Sequence, residues 1–366
     1  MKKKRVFIAV IASVMSLSCA SCGNEKSNSS SSSESITESS VPENNEATEE
    51  TLDTAEEETV DDDESSTENP LGKTADINDY IDSTEINPPL WKVTDPDSGN
   101  IMYLLGTIHM LPSNVSDYPF DLIDIYNSCD SIAVEYDVTL LEKDANAQME
   151  YLNGLIYSDG STIKDHISEE TYNKAKDYFD SIEAYSEMLD QYTTGYWINQ
   201  LSSVMLLRLE NMELSGTDTY FISKAQEDSK EIISIEELSM QTDALNAYSD
   251  DYADYNISEM VDNIDDINGF AESYSELYDL WSKGSGDIMI DMDVDLDELP
   301  DDLLDDHEAY VKVVLDNRNQ YMADKASEYI KDGKNCLFMV GAAHYSGDNG
   351  VDNLLEEMGY TVEKIA

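Results

Sequence analysis

Two histidines stand in the same short pattern, Gly-x-x-His directly after an apolar run. It occurs as Leu104-Leu105-Gly106-Thr107-Ile108-His109 and again as Met339-Val340-Gly341-Ala342-Ala343-His344. Imidazole acts as general base, proton shuttle or metal ligand near neutral pH. A glycine that closes a strand lets the backbone turn sharply and approach a neighbour closely. The histidine three residues on is then carried past the carboxyl end of the strand, where open α/β sheets build their sites. The chain has four histidines, so two in this setting point to a shared site. Acids occupy comparable places: Glu135 follows Ile132-Ala133-Val134, and Glu236 and Glu237 follow Ile232-Ile233-Ser234-Ile235. A carboxylate there is a metal ligand, a general base, or a solvated loop acid or helix cap. Glu135 is read as functional and Glu237 as a loop acid. Two histidines with one or two carboxylates suit a divalent ion such as Zn²⁺, Mn²⁺ or Co²⁺. There is no His-Glu-x-x-His helix in the sequence, so this is not a zincin pattern.

The elements that must position these groups follow from the spacing of apolar residues. Leu90-Trp91-Lys92-Val93 and Ile101 to Leu105 read as two strands joined across the turn Asp95-Pro96-Asp97-Ser98-Gly99-Asn100. Residues 119–128 predict a helix and 131–135 a short strand. From 140 to about 214 apolar residues recur at three- and four-residue spacing, which predicts helix throughout. A helix over 218–228, a strand over 231–235 and helices over 239–283 follow. A long helix is expected over 307–331, a buried strand over 336–340, a helix over 351–358 and a last strand over 361–365. Strands alternating with helices give an α/β sheet, and the long helical middle gives an added cap or subdomain.

Several other residues draw attention and carry less. Asp291, Asp293 and Asp295 have the alternation of a calcium loop, but Leu296 stands where such a loop requires glycine. His166 and His307 read as surface residues. Tyr178, Tyr185, Tyr192 and Tyr196 recur near helical spacing and read as packing. Cys129 and Cys336 lie in apolar segments; they pair in an oxidising exterior or stay as buried thiols.

The amino terminus addresses location. Lys2, Lys3, Lys4 and Arg5 precede an apolar stretch from Val6 to Leu17, followed by Ser18-Cys19-Ala20-Ser21-Cys22-Gly23. The apolar stretch is too short to span a bilayer of about 30 Å, and the layout is that of a secretory signal with a cleavage region. A cysteine at that point resembles a bacterial lipobox, with Cys22 as the lipidated residue and Cys19 as the alternative. The expected organisation is a lipoprotein signal over 1–22, a Ser- and Glu-rich acidic tether over 23–75 and one domain over 76–366. The tether has too few large apolar side chains to offset the entropy of ordering. These readings place the protein on the extracytoplasmic face of the cell membrane, held by a lipid. The whole chain has 21 Lys and Arg against 79 Asp and Glu, a net charge of −58. Nucleic acid is excluded as a partner, since its phosphates demand a basic surface.

Taken together, these blocks resemble the TraB/GumN family, which includes a pheromone-shutdown protein and the animal Tiki proteases. The resemblance rests on Leu90-Trp91-Lys92-Val93 with Tyr103 to Pro112, on Ala133-Val134-Glu135, and on Gly216-Thr217-Asp218 through Ile235-Glu236 with Gln241. It continues through Leu280-Trp281 with Gly286-Asp287, Asp316-Asn317-Arg318-Asn319 with Met322, and Val340 to His344 with Gly350-Val351, Leu354-Leu355 and Gly359 to Val362. The resemblance implies a central mixed sheet flanked by helices with a large helical insertion, of the erythromycin-esterase and ChaN kind. It also implies a metal-dependent hydrolase, with a peptide or small molecule as substrate. Carried over by position, His109, His344 and Glu236 would be ligands, Glu135 the base, and Arg318 the group that stabilises an oxyanion or orients a carboxylate. The segment from Asp287 to Asp306 reads as an insertion particular to this chain. The rival reading is a non-catalytic protein that captures a secreted peptide signal.

Overall fold

The computed structural model describes residues 69–213, 215–291 and 299–366. The expected signal segment with Cys22, most of the acidic tether, and Asp293, Asp295 and Leu296 lie outside the described residues.

The chain starts with a two-residue strand β1 (Ala75–Asp76), then β2 (Leu90–Thr94), β3 (Ile101–Thr107), β4 (Leu111–Pro112), α1 (Phe120–Ser128) and β5 (Ser131–Val134). The helical middle contains α2 (Thr139–Lys143), α3 (Ala145–Gly154), α4 (Glu169–Ser181) and α5 (Thr194–Leu207). It closes with two short strands, β6 (Leu209–Glu210) and β7 (Met212–Glu213). Next come α6 (Thr217–Glu227), β8 (Glu231–Ser234), α7 (Leu238–Leu245), α8 (Asp250–Asp262), α9 (Ile267–Ser282) and α10 (Ile288–Asp291). The last stretch is α11 (Leu304–Val311), α12 (Asn317–Lys331), β9 (Cys336–Gly341), α13 (Val351–Glu357) and β10 (Thr361–Lys364).

Six strands form one mixed sheet in the order β10-β2-β3-β9-β5-β8. β2 pairs antiparallel with both β10 and β3, whereas β3, β9, β5 and β8 run parallel. The β2–β3 turn is fixed by Asp95, whose carboxylate accepts from the Asp97 amide at 2.9 Å and the Ser98 hydroxyl at 2.6 Å. β9 comes last of the parallel strands in sequence but inserts between β3 and β5. All six of its residues are buried, as an interior parallel strand covered on both faces requires.

Alternation along the strands sends side chains to two cores. Leu105, Ile132, Val134, Leu337 and Met339 face the larger one, with Trp197 of α5, Phe221 of α6 and Trp281 of α9. Leu104, Ala133, Phe338 and Val340 face the other, against Met322, Ala323, Ala326 and Ile330 of α12 and Leu355 of α13. The result is the expected α/β architecture, a central mixed sheet with helices on both faces and a large helical insertion.

Three local expectations need correction. Helix does not continue from 140 to 214. It is interrupted by N-caps at Ser168 and Thr193, whose hydroxyls accept from the Thr171 and Tyr196 amides, and it ends at Leu207. Arg208 there is 1% exposed and donates to the carbonyls of Ile264 (2.5 Å) and Lys73 (2.7 Å). Asn211 takes φ +60°, a left-handed conformation that asparagine tolerates better than most residues. β6 then pairs with β1 and β7 with β4. The late helix begins at Leu304 and carries a π-helical turn over Lys312–Asp316 before α12. His307 is buried, not on the surface, with Nδ1 2.8 Å from the Tyr252 hydroxyl. Of the alternatives left open for the cysteines, the structure has free, buried thiols. Burial pushes Cys129 up to about 11 and Cys336 up to about 12. Among the described residues no helix is long and apolar enough to cross a membrane.

Candidate active site at the carboxyl edge of the sheet

Parallel pairing brings the singled-out residues together. Thr107 pairs with Gly341, and Val134 pairs with both Met339 and Ser234. The carboxyl ends of β3, β9, β5 and β8 therefore finish on one edge, and His109, His344, Glu135 and Glu236 follow them. α12 reaches the same edge, with Arg318 and Asn319 just beyond the π-helical turn. Close backbone approach holds the edge compact. A Cβ on Gly106 would lie 2.8 Å from Pro89 and 3.3 Å from Ala342, so the first motif tolerates no side chain there. The Trp281 indole donates to the Gly106 carbonyl at 3.0 Å and pins the end of β3.

The two histidines are held differently. Nδ1 of His109 donates to Asp218 Oδ2 at 3.0 Å, and the other oxygen of Asp218 accepts from the Thr107 hydroxyl at 2.7 Å. Asp218 sits in the first turn of α6, which lies directly on the first motif: the Thr217 amide donates to the Ile108 carbonyl at 2.9 Å. A Cβ on Gly216 would fall 2.1 Å from that same carbonyl oxygen. Nδ1 of His344 donates instead to the side-chain oxygen of Asn319 at 2.5 Å, and the Asn319 amide donates to the Asn349 carbonyl at 2.9 Å. The His109 side chain is 30% exposed and that of His344 5%. Burial disfavours charge on both rings. For His109 the Asp218 carboxylate overcomes this and raises its pKa. For His344 the Arg318 guanidinium adds to burial and brings the pKa down to about 3. His344 is thus neutral, with its proton on Nδ1 and a lone pair on Nε2.

The carboxylates share Arg318. Its Nη2 donates to Glu135 Oε2 at 2.6 Å and to Glu236 Oε2 at 2.9 Å. Its Nε donates to Glu236 Oε1 at 2.8 Å, and its Nη1 to the Val314 carbonyl at 3.2 Å. The Gln241 amide also donates to Glu236 Oε2. Both oxygens of Glu236 are therefore committed. Burial raises the Glu236 pKa against the pull of Arg318. Glu135 is also buried, but Arg318 and its other neighbours hold it well below the usual carboxylate range. Its Oε1 accepts from the Gly341 amide at 2.7 Å and lies 3.7 Å from His344 Nε2.

That last separation sets the chemistry. With His344 neutral, a lone pair and a carboxylate oxygen face each other with no proton between them. A cation or a water proton is what such a pair stabilises. Two ligands that each hold one ion at about 2.1 Å span a distance of this size. An Nδ1–H donated to a carboxylate or amide oxygen is also the usual support for a metal-bound imidazole. The facing pair of His344 and Glu135 thus has the donor chemistry for a divalent ion. Among the described residues no three His, Cys, Asp or Glu side chains already stand in the arrangement of a metal cage.

All five residues expected from the sequence, Glu135, Arg318, His109, His344 and Glu236, meet at this edge. Asp218 and Asn319 received no role from the sequence, although both stand in blocks singled out there. An acid in the first turn of a helix reads as a dipole or capping residue, and nothing in the order of residues tells that Asp218 lies against His109. His166 belongs elsewhere, on the helical insertion, stacked on Tyr157 and bonded to Asp250 at 2.9 Å.

A family model described as the TraB/PrgY/gumN family matches residues 89–364. Neither a curated protein nor a solved structure matches the chain.

Proposed function

The chain belongs to the TraB/PrgY/gumN family, and from that premise we propose that it is a metal-dependent hydrolase of peptides. In this reading a lipid on Cys22 holds it at the extracytoplasmic face of the membrane. The observation that carries the hydrolase reading is the unprotonated facing pair of His344 Nε2 and Glu135 Oε1 at 3.7 Å, with both imidazoles fixed through Nδ1. His109, His344 and Glu135 would hold Zn²⁺, Mn²⁺ or Co²⁺. Such an ion, when bound, lowers the pKa of a water and polarises a carbonyl.

The remaining groups prepare those ligands. Asp218 fixes the tautomer of His109 and leaves Nε2 as its donor atom. Asn319 does the same for His344 without adding charge. Arg318 has four donor contacts within the protein, so it orients Glu135 instead of meeting an oxyanion. Glu236, expected as a ligand, holds Arg318 in place. Glu135, expected as a base, is too weakly basic for that task with Arg318 beside it, and serves better as an anionic ligand.

The test is metal content of the full chain after incubation with Zn²⁺, Mn²⁺ or Co²⁺, comparing wild type with His109→Ala and His344→Ala. The expected result is one ion per chain, lost in both variants while circular dichroism is unchanged. Wild-type protein that takes up none of the three ions would overturn the metallohydrolase reading and leave peptide capture in its place.

A further inference from the structure

A cavity of about 40 Å³ opens beside His109, at the seam between the sheet edge and the helical insertion. Both Gly-x-x-His turns contribute to it, through Ile108, His109 and Met110 on one side and Gly341, Ala342 and Ala343 on the other. Leu206 of α5, Leu277 of α9 and Ile288 of α10 close it. We propose that this cavity is the subsite for a small aliphatic side chain, of the size of valine or leucine, next to the bond on which the site acts. The inference rests on the hydrolase reading for the phrase "the bond on which the site acts", and on the cavity alone for the choice of side chain.

Three observations select that occupant. The first is polarity. Apart from Nε2 of His109, the cavity's polar side-chain atoms have partners: the Thr107 hydroxyl donates to Asp218, the Tyr274 hydroxyl to the Met110 carbonyl at 2.9 Å and His109 Nδ1 to Asp218. A cationic side chain entering here would lose water and meet no carboxylate among the lining residues, which is strongly unfavourable. The second is size. One water requires roughly 10–15 Å³ of such space, so the cavity holds about three such volumes, enough for a short branched chain and too little for an indole. The third is position. His109 and Gly341 belong both to the wall of the cavity and to the catalytic edge, so a side chain seated here sets its own backbone against the ligands. Each methylene buried in such a pocket contributes roughly fourfold in affinity. A misfit by one or two carbons discriminates by about 10- to 200-fold.

Ile288 gives the segment after Gly286-Asp287 a part in this recognition. Its side chain is fully buried, and the start of α10 is tied to the second motif: the Met289 amide donates to the Ser346 hydroxyl at 3.1 Å, and Asp287 accepts from the Gly347 amide at 3.0 Å. The segment that reads in the sequence as an insertion thereby supplies one wall of the subsite.

The experiment uses the full chain and two readouts. Ligand-observed NMR measures binding of N-acetyl-valinamide, N-acetyl-phenylalaninamide and N-acetyl-lysinamide to wild type, Leu277→Ala and Ile288→Ala. In parallel, Zn²⁺-loaded protein is given a mixture of blocked peptides varied at one residue, and products are identified by mass spectrometry. Expected is at least tenfold preference for the valine compound over the other two. Leu277→Ala should narrow the gap to the phenylalanine compound about tenfold, with Ile288→Ala as the independent check should the first variant fail to fold. Valine preference that both folded variants leave unchanged, or equal binding of all three compounds, overturns the subsite even if peptides are cleaved. Preference that responds to the variants upholds it even if nothing is cleaved, in which case only the hydrolase reading falls.

Discussion

The first Gly-x-x-His turn and the second differ in almost everything but their sequence pattern. His109 rests on a carboxylate, is partly open to solvent and has a raised pKa. His344 rests on an amide, is closed in beside a guanidinium and is held neutral. The glycine and the strand end deliver both rings to one edge. The partner of Nδ1 and the nearest charge then decide what each ring is. A repeated motif therefore fixes placement here, while the residues behind it fix protonation.

The contrast breaks most severely if Arg318 is removed. Arg318→Met leaves Glu135 and Glu236 buried without their cation, and loss of one partner from such a cluster costs about 3–5 kcal/mol. Urea unfolding should show that loss, and NMR titration should show the His344 pKa rising, because Arg318 adds to burial in lowering it. An effect of similar size comes from acid. The folded His344 pKa is about 3 against 6.5 for the free side chain, so the unfolded chain takes up a proton that the fold refuses. Its stabilisation is full above pH 6.5 and is lost as pH falls toward 3, on the order of 5 kcal/mol at about 1.4 kcal/mol per unit. Glu135, whose pKa is lowered from 4.5, loses its contribution in the same direction at more acid pH. In metal-free protein, His344→Gln should flatten the upper part of that decline; an unchanged slope between pH 6.5 and 4.5 would contradict a neutral His344.

Asp218→Asn sharpens the contrast from the other side, with the smallest effect of the three. It gives His109 an amide partner like the one His344 has, and the His109 pKa should fall. The raised pKa of His109 contributes stability that is present below pH 6.5 and lost as pH rises through the folded value. The variant should lack that loss. If His109 is a ligand, affinity for Zn²⁺ should also drop by about 10- to 100-fold, as for other outer partners of metal-bound histidines. Competition against a chromogenic chelator measures it, and unchanged affinity would remove Asp218 from the site.

Much of the sheet was legible because its strands carry the signal on their own. Leu104-Leu105-Gly106 and Met339-Val340-Gly341 are short apolar runs ended by glycine, and no helix of that length would form alone. The site was legible for the same reason, since its residues follow strand ends directly. What escaped depends on partners far away in sequence. The break after Leu207 is made by Arg208 reaching Lys73 and Ile264. The burial of His307 comes from Tyr252. The importance of Asp218 and Asn319 exists only once α6 and α12 are laid against the two turns. The π-helical turn before Arg318 left no mark in a run whose apolar spacing reads as ordinary helix.

The short ribbon of β1 and β6 has a mechanical consequence. A pull arriving from the N-terminal side is borne by residues 73–76 against residues 208–210, through the Ala75–Leu209 and Asp76–Glu210 pairs and the bond from Arg208 to Lys73. This ribbon is separate from the central sheet. Its next connection is β7, paired with β4 at Leu111, two residues beyond His109. Tension along this path would therefore arrive beside His109 through two ribbons that share no ladder with the central sheet.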